Sequence, residues 1–316
     1  MNGMSNHSFD EEDALARFDK LAAMGIIAYG PSRAVQVMDA GFRFEFRICP
    51  TWAKKPLEVS DVLKLDDDIP EPEKFGPGSD IFRSHPDQVI KTINNTHMLA
   101  LNIFPVFRPQ YLLLTMDTFR SQNEWLHHED IEAAWAFLQS TASPHFAMYN
   151  CTKDAGCSRY HKHLQIMKKP EACESEFRFF PDVSDTTTAI PYVVFVERLS
   201  GGAAVDSKAI LEVYLSLMKK CRKVLKIPED QDKVLCPHNV ILDKEWIAVI
   251  PRRSGNVEGI GANAAGMMGM PTISNSMLFK KWTDIGPAEV LSRLGVPTND
   301  VSRQEVAGPL SEGDQT

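Results

Sequence analysis

The chain has 316 residues, of which 43% are hydrophobic and 24% charged, enough apolar content to bury a sizeable core. A formal net charge of -8 argues against non-specific nucleic-acid or anionic-membrane binding by the whole-molecule field, so a phosphate-rich ligand would need a local basic pocket. Six cysteines without a repeated spacing suit reduced thiols rather than a disulfide framework; with no basic start followed by an apolar run, and no stretch of ~18 apolar residues, the expected location is cytoplasmic, with the nucleus left open.

Helices and strands interleave without an internal repeat. Ser8, with Glu11 three residues on, is expected to cap a first helix through Leu15, Phe18 and Leu21, which Gly25 ends. Phe42, Phe44, Phe46 and Ile48 alternate with Arg43, Glu45 and Arg47, the pattern of a half-buried strand. Residues 57–97 are rich in Pro, Asp and Gly and predict an exposed loop. Met98 to Phe104 and Tyr111 to Thr115 predict a hairpin; Ile131, Trp135 and Leu138 a helix; His145 to Tyr149 a strand. Pro191 to Glu197 is strand-like, residues 207–226 carry helical spacing from Ile210 to Val224, and Asn239 to Leu242 with Trp246 to Ile250 form a second hairpin. The pattern is α+β with mostly antiparallel strands. Residues 1–200 are expected to form the first part of the fold and 201–316 to complete it, with about the last 18 residues disordered.

The most informative segment is His161-Lys162-His163-Leu164-Gln165. In an extended backbone His161, His163 and Gln165 project from one face, and Lys162 and Leu164 from the other. An imidazole is a nucleophile near neutral pH, and a neighbouring imidazole and carboxamide can orient it and donate hydrogen bonds to an oxyanion, as phosphoryl or nucleotidyl transfer requires. An isolated H-x-H is more commonly structural. Zinc is the sharper rival, since Cys151, Cys157, His161 and His163 lie within thirteen residues, yet their spacing is not that of a usual zinc finger, and no protein metal site is expected. The approach loop, residues 150–160, contains Lys153, Gly156, Ser158 and Arg159, a set suited to cradling an anion.

Residues 146–165, FAMYNCTKDAGCSRYHKHLQ, resemble the core of the fungal-type diadenosine tetraphosphate phosphorylases, or ATP adenylyltransferases. These form a branch of the histidine-triad superfamily related to galactose-1-phosphate uridylyltransferase. Further segments resemble the family in the same order: FRFEFRICPTWAKKP (42–56), LALNIFPVFRPQYLLLT (99–115), CPHNVILDKEWIAVIPR (236–252), EGIGANAAGMMGM (258–270) and IGPAEVLSRLGVP (285–297). The resemblance implies a histidine-triad-like, mostly antiparallel sheet with flanking helices. It implies phosphorolysis of diadenosine tetraphosphate to ATP and ADP, with His163 as nucleophile and an adenylyl-histidine intermediate. His161, or a backbone carbonyl beyond it, would hold the proton on the far nitrogen of the ring, and Gln165 stands where the family places a phosphate-binding amide. Lys54, Lys55, Asn102, Asn150, Gly156, Ser158, Arg159 and Asn263 complete the candidate substrate-binding set. A divalent cation, Mg²⁺, is expected with the substrate phosphates. Expected partners are a dinucleoside polyphosphate, ATP, ADP and phosphate, with neither nucleic acid nor membrane. Ile103, Gln110, Arg159 and Tyr160 depart from the family pattern, Gln110 standing where a His is common, and bear on substrate identity more than on reaction class. A related histidine-dependent nucleotide hydrolase or transferase and a silent nucleotide sensor are the alternatives.

Overall fold

The computed structural model describes residues 9–55, 75–81, 83–170, 175–183, 189–199, 205–228 and 234–300. Its centre is an eight-stranded sheet in the order β3-β4-β5-β7-β6-β9-β10-β8. The strands are β3 (Val89–Ile93), β4 (His97–Leu101), β5 (Gln110–Thr115), β6 (His145–Cys151), β7 (His163–Lys168), β8 (Phe195–Arg198), β9 (His238–Leu242) and β10 (Trp246–Pro251). Every neighbouring pair in it is antiparallel. A smaller sheet joins β1 (Arg33–Asp39), β2 (Phe42–Ile48) and β11 (Thr272–Ile273), with β11 parallel to β2.

The two faces of the large sheet meet different cores. Leu113, Leu164, Ile166, Val240 and Val249 pack against α1 (Glu11–Ala23), α2 (His128–Ser140) and α3 (Ser207–Val224) through Phe18, Phe137 and Tyr214. On the opposite face, Met148, Met167, Ile241 and Ile250 meet Phe42, Phe44 and Phe46 of β2 and the chain that forms α4 (Ala264–Met267), α5 (Ser276–Ile285) and α6 (Pro287–Leu294). That second layer does not cover the whole face. Beyond it, among the described residues, lies a small cluster of Ile81, Ala100, Leu112 and Leu114. Because β7 alternates with period two, His163 and Gln165 emerge on this incompletely covered face, opposite Leu114 and Leu112 of β5.

Several sequence expectations are corrected. The first helix is capped by Asp10, whose carboxylate accepts from the Asp13 amide at 2.9 Å; Ser8 lies outside the described residues. Within the stretch read as one loop, residues 56–74 lie outside the described set, but Val89–Ile93 is a strand on the sheet edge, where three of five positions are apolar and a register shift interrupts alternation. The strand expected from Pro191 to Glu197 is shorter, Phe195–Arg198. β1 escaped notice because its burial is shallow: Val35 and Val37 are only half-buried, and the apolar Ala34 and Met38 are exposed on the other face, so no apolar-polar alternation marks it. The expected disordered tail falls on residues 301–316, outside the described residues. No described helix is long and apolar enough to cross a membrane.

Candidate active site

β7 begins at His163, a residue 6% exposed whose ring Nδ1 lies 2.8 Å from the carbonyl oxygen of His161. A carbonyl only accepts, so Nδ1 carries the proton and Nε2 is left with its lone pair. Burial drives the His163 pKa down to about 4, and the nearby His161 and Lys55 push the same way against the carbonyl contact and Asp80. At neutral pH the ring is therefore uncharged, with the Nε2 lone pair free of a proton.

The contribution of His161 to His163 is its main chain. Its own ring faces elsewhere, with Nε2 2.8 Å from the Thr115 carbonyl and Nδ1 2.9 Å from the Ser79 hydroxyl. Lys162 points into the helix-bearing face, where its ammonium meets Asp130 at 2.7 Å and the Trp125 carbonyl at 2.6 Å, anchoring β7 to the start of α2.

β6 and β7 pair as far as Met148 and Gln165 and then part. Gln122 fills the gap. Its Oε1 accepts the His163 amide at 2.8 Å, and its Nε2 donates to the carbonyls of His163 at 3.0 Å and Asn150 at 3.1 Å. A side-chain amide thus replaces the missing strand contacts, satisfying backbone groups that burial would otherwise leave unpaired. No motif in the sequence marks Gln122, since its partners lie 28 and 41 positions away.

Two cavities meet at this point. The larger, about 190 Å³, is bordered by Trp52, Gly156, Gly255, Ala262 and Asn263; the smaller, about 60 Å³, by Ile81, Leu112, Arg159 and His163. Lys55, Asn102, Phe104, Ser158 and Gln165 border both, so the two form one cleft. Its polar ends are set by hydrogen bonds. Asn102 Oδ1 accepts the Phe104 amide at 3.0 Å, which leaves Asn102 Nδ2 as the end available to the cleft. Gln165 Oε1 accepts from Gln110 Nε2 at 2.8 Å, with the same outcome for Gln165 Nε2. The Lys55 ammonium lies 5.0 Å from the centre of the Trp52 ring, and among the described residues no carboxylate pairs with it. Burial, with Arg159 adding repulsion, brings its pKa down to about 8. Cations and amide donors converging beside a neutral imidazole form a receptacle for a phosphate chain.

Two other candidates shape the cleft without facing it as donors. Asn150 is 3% exposed, and its Oδ1 accepts from Asn239 Nδ2 at 2.9 Å and the Ala264 amide at 2.8 Å, tying the glycine-rich segment to β6. Gly156 has φ +86°, and a Cβ there would lie 2.7 Å from the Ala262 carbonyl oxygen. Asn263 spends its Oδ1 on the Gly266 amide at 3.0 Å while bordering the larger cavity. The Lys54 side chain lies outside the described set. The sequence reading also missed Arg252, 1% exposed, which donates to Asn239 Oδ1 at 2.7 Å and to the Ala262 and Ala155 carbonyls at 2.8 and 3.3 Å. Among the described residues neither cavity is bordered by an Asp or Glu. Among the described residues no group of three or more His, Cys, Asp or Glu is placed to hold a metal ion. Cys151, the last residue of β6, turns its side chain into the helix-facing core, its thiol 3.5 Å from the Glu124 carbonyl.

Two family models match the chain, the Ap4A phosphorylase N-terminal domain over residues 18–178 and the ATP adenylyltransferase C-terminal domain over residues 188–297. Protein APA1 of Saccharomyces cerevisiae is 27% identical over 211 residues, which are 60% of this chain and 65% of the relative. Diadenosine 5',5'''-P1,P4-tetraphosphate phosphorylase 2 of the same yeast is 28% identical over 213 residues, with the same coverage. The chain thus aligns with a little under two thirds of the length of either. The fold is similar to that of yeast Ap4A phosphorylase Apa2 in complex with Ap4A, with a TM-score of 0.70 at 22% identity, over 90% of this chain and 97% of the other.

Proposed function

We propose that this chain, which belongs to the Ap4A phosphorylase family, cleaves diadenosine 5',5'''-P1,P4-tetraphosphate with inorganic phosphate, giving ATP and ADP through an adenylyl group carried on His163. The observation that carries the reading is the state of that ring: Nδ1 is committed to the His161 carbonyl, and Nε2 is unprotonated beside a cleft of cations and amide donors. The printed name of the yeast phosphorylase 2 and the Ap4A complex of Apa2 support the choice of substrate.

In the first step the Nε2 lone pair attacks the α-phosphorus, an N–P bond forms, and the bond from that phosphorus to its bridging oxygen breaks with release of ATP. The ring becomes cationic, and the His161 carbonyl holds the Nδ1 proton throughout. Lys55, Asn102 Nδ2 and Gln165 Nε2 meet the negative charge on the phosphates. In the second step an oxygen of inorganic phosphate attacks the same phosphorus, the N–P bond breaks, and ADP leaves with the ring neutral again. Among the described residues the lining offers no carboxylates to hold a resident Mg²⁺; the ion would arrive on the substrate's own phosphates, and no step runs through it. The five described cysteines are free thiols, which supports a reducing cytosolic location, with the nucleus open.

Incubation with Ap4A and phosphate tests the reading. ATP plus ADP is the expected outcome, AMP plus ATP would make it a hydrolase, and binding without products a sensor. His163→Ala is expected to abolish turnover while keeping Ap4A affinity within about tenfold, because only the covalent step is removed. Mass spectrometry of the quenched wild-type reaction should find AMP on His163, and turnover by the variant would overturn the mechanism.

A further inference from the structure

Gln165 serves a polyphosphate only with its NH₂ end turned to the cleft, because its oxygen would repel the phosphate oxygens. The two ends of a carboxamide are nearly the same size, so packing does not choose between them. Hydrogen bonding does. The main-chain amide of Val106 can only donate, and it donates to Gln110 Oε1 at 2.7 Å. That fixes Gln110 Nε2 toward Gln165, 2.8 Å away, and an NH₂ can only donate, so Gln165 must offer Oε1 in return. The remaining end, Gln165 Nε2, is left to the cleft. β5 and β7 set the pair, because Gln110 lies opposite Met167 and Leu112 opposite Gln165, making the two glutamines diagonal neighbours on one face. Gln110 is 3% exposed, so water does not compete for this contact.

We infer that Gln110 is a positioning residue that transmits the polarity of the Val106 amide to Gln165 and so holds a hydrogen-bond donor toward the phosphate chain. The inference rests on the proposed function in one respect, that the ligand carries a phosphate chain at Gln165.

The test exchanges donors for acceptors, in Gln110→Glu without changing shape. Gln110→Glu keeps an acceptor for the Val106 amide but faces Gln165 with a second acceptor, forcing Gln165 to turn its NH₂ away from the cleft. Gln110→His supplies one acceptor and one donor nitrogen on a neutral ring and preserves the original polarity. The readout is ATP affinity by calorimetry at pH 7.5, with thermal unfolding recorded for each variant. Q110E is expected to weaken ATP binding at least about tenfold in the wild-type background, the size of one lost charge-assisted hydrogen bond. In the Q165A background the same substitution is expected to change affinity by no more than about threefold, because Gln110 acts through Gln165. Q110H should restore most of what Q110E loses. Lower pH should partly rescue Q110E, because the introduced carboxyl, once protonated, donates to Gln165 again. Wild-type affinity in Q110E, or an equal loss with and without Gln165, would overturn the inference. A wild-type protein that binds ATP yet leaves Ap4A intact in phosphate would overturn the reaction alone, and the four affinities would still judge Gln110. Failure of the wild type to bind ATP would overturn both.

Discussion

Under the proposed reaction, the charge states of two side chains set the working pH of the cleft. His163 must be neutral to attack, and burial holds its pKa at about 4, so the rate constant kcat/KM is expected to rise as pH climbs through that value. Lys55 must be charged to meet phosphate, and its pKa of about 8 means that kcat/KM falls as pH rises through about 8. A plateau between the two follows, and Lys55→Met should lower it and remove the alkaline limb; an alkaline limb that persists in that variant would assign it to another group. Thermal unfolding has to accompany the profile. The depressed His163 pKa means that the unfolded chain binds more protons below its ordinary 6.5, so stability present above that value is lost as pH falls toward about 4. His163 and Gln165 were legible because a period of two puts them on one face, but only one of the partners that fix them was. His161 was expected to hold the ring proton of His163, and its carbonyl lies 2.8 Å from Nδ1, but Gln122 and Gln110 act across 41 and 55 positions, and no local pattern records such contacts.

Among the connecting elements, the turn after β6 sets how closely the glycine-rich segment can approach the catalytic strand. Thr152 at φ +76° and Gly156 at φ +86° wrap residues 153–155 tightly, and Gly255 and Ala262 press against that turn main chain to main chain. Gly25, just past α1, has a similar φ of +75° but open space around it. The two glycines therefore separate strain from contact. Gly25→Ala should cost about 1 kcal/mol of stability, the left-handed penalty alone. Gly156→Ala should cost at least about 1–2 kcal/mol more, since the added methyl meets the Ala262 carbonyl, and it alone should weaken ATP binding. Equal losses by denaturant titration would show that the contact is relieved by a shift elsewhere. At this scale the sequence was read best where alternation or helical spacing was clean, as in β2, α3 and the β9–β10 hairpin. It was read worst where a strand is shallow or at an edge, as in β1 and β3, because half of their side chains meet solvent and any polar residue is tolerated there.

Over the whole molecule, the sheet is continuous from the N-terminal strands into β9 and β10, because β6 pairs along its length with β9, Tyr149 opposite Val240 and Asn150 opposite Asn239. Arg252 closes that seam above the cleft. Besides Asn239, Ala262 and Ala155, its guanidinium donates to the Leu294 carbonyl at 3.3 Å and the Ser254 carbonyl at 3.1 Å, so one side chain joins β9, the turn after β6, the glycine-rich segment and the end of α6. All five acceptors are neutral oxygens. Burial draws the Arg252 pKa down to about 10 against the nearby Asp154 carboxylate, still well above neutrality, so the group remains a cation whose hydrogen bonds all go to neutral dipoles. Arg252→Met keeps much of the volume but takes the donor from Asn239 Oδ1 and from the Ala262 and Ser254 carbonyls, while Ala155 keeps the Asn239 amide and Leu294 the Arg253 and Ser254 amides; the loss is about 3–5 kcal/mol by analogy with broken buried networks. For a chain of this length that corresponds to a fall in Tm of roughly 5–8 °C. Arg252→Lys retains the charge but cannot span acceptors on four segments from one ammonium, so it should recover only a minor part of the loss. If the role of Arg252 were charge alone, the lysine variant would match the wild type in Tm; if the seam did not depend on it, the methionine variant would unfold within about 1 °C of the wild type. The structure favours neither, because the fork geometry of the guanidinium, and not its charge, is what reaches both the turn beside His163 and the segment across the cleft.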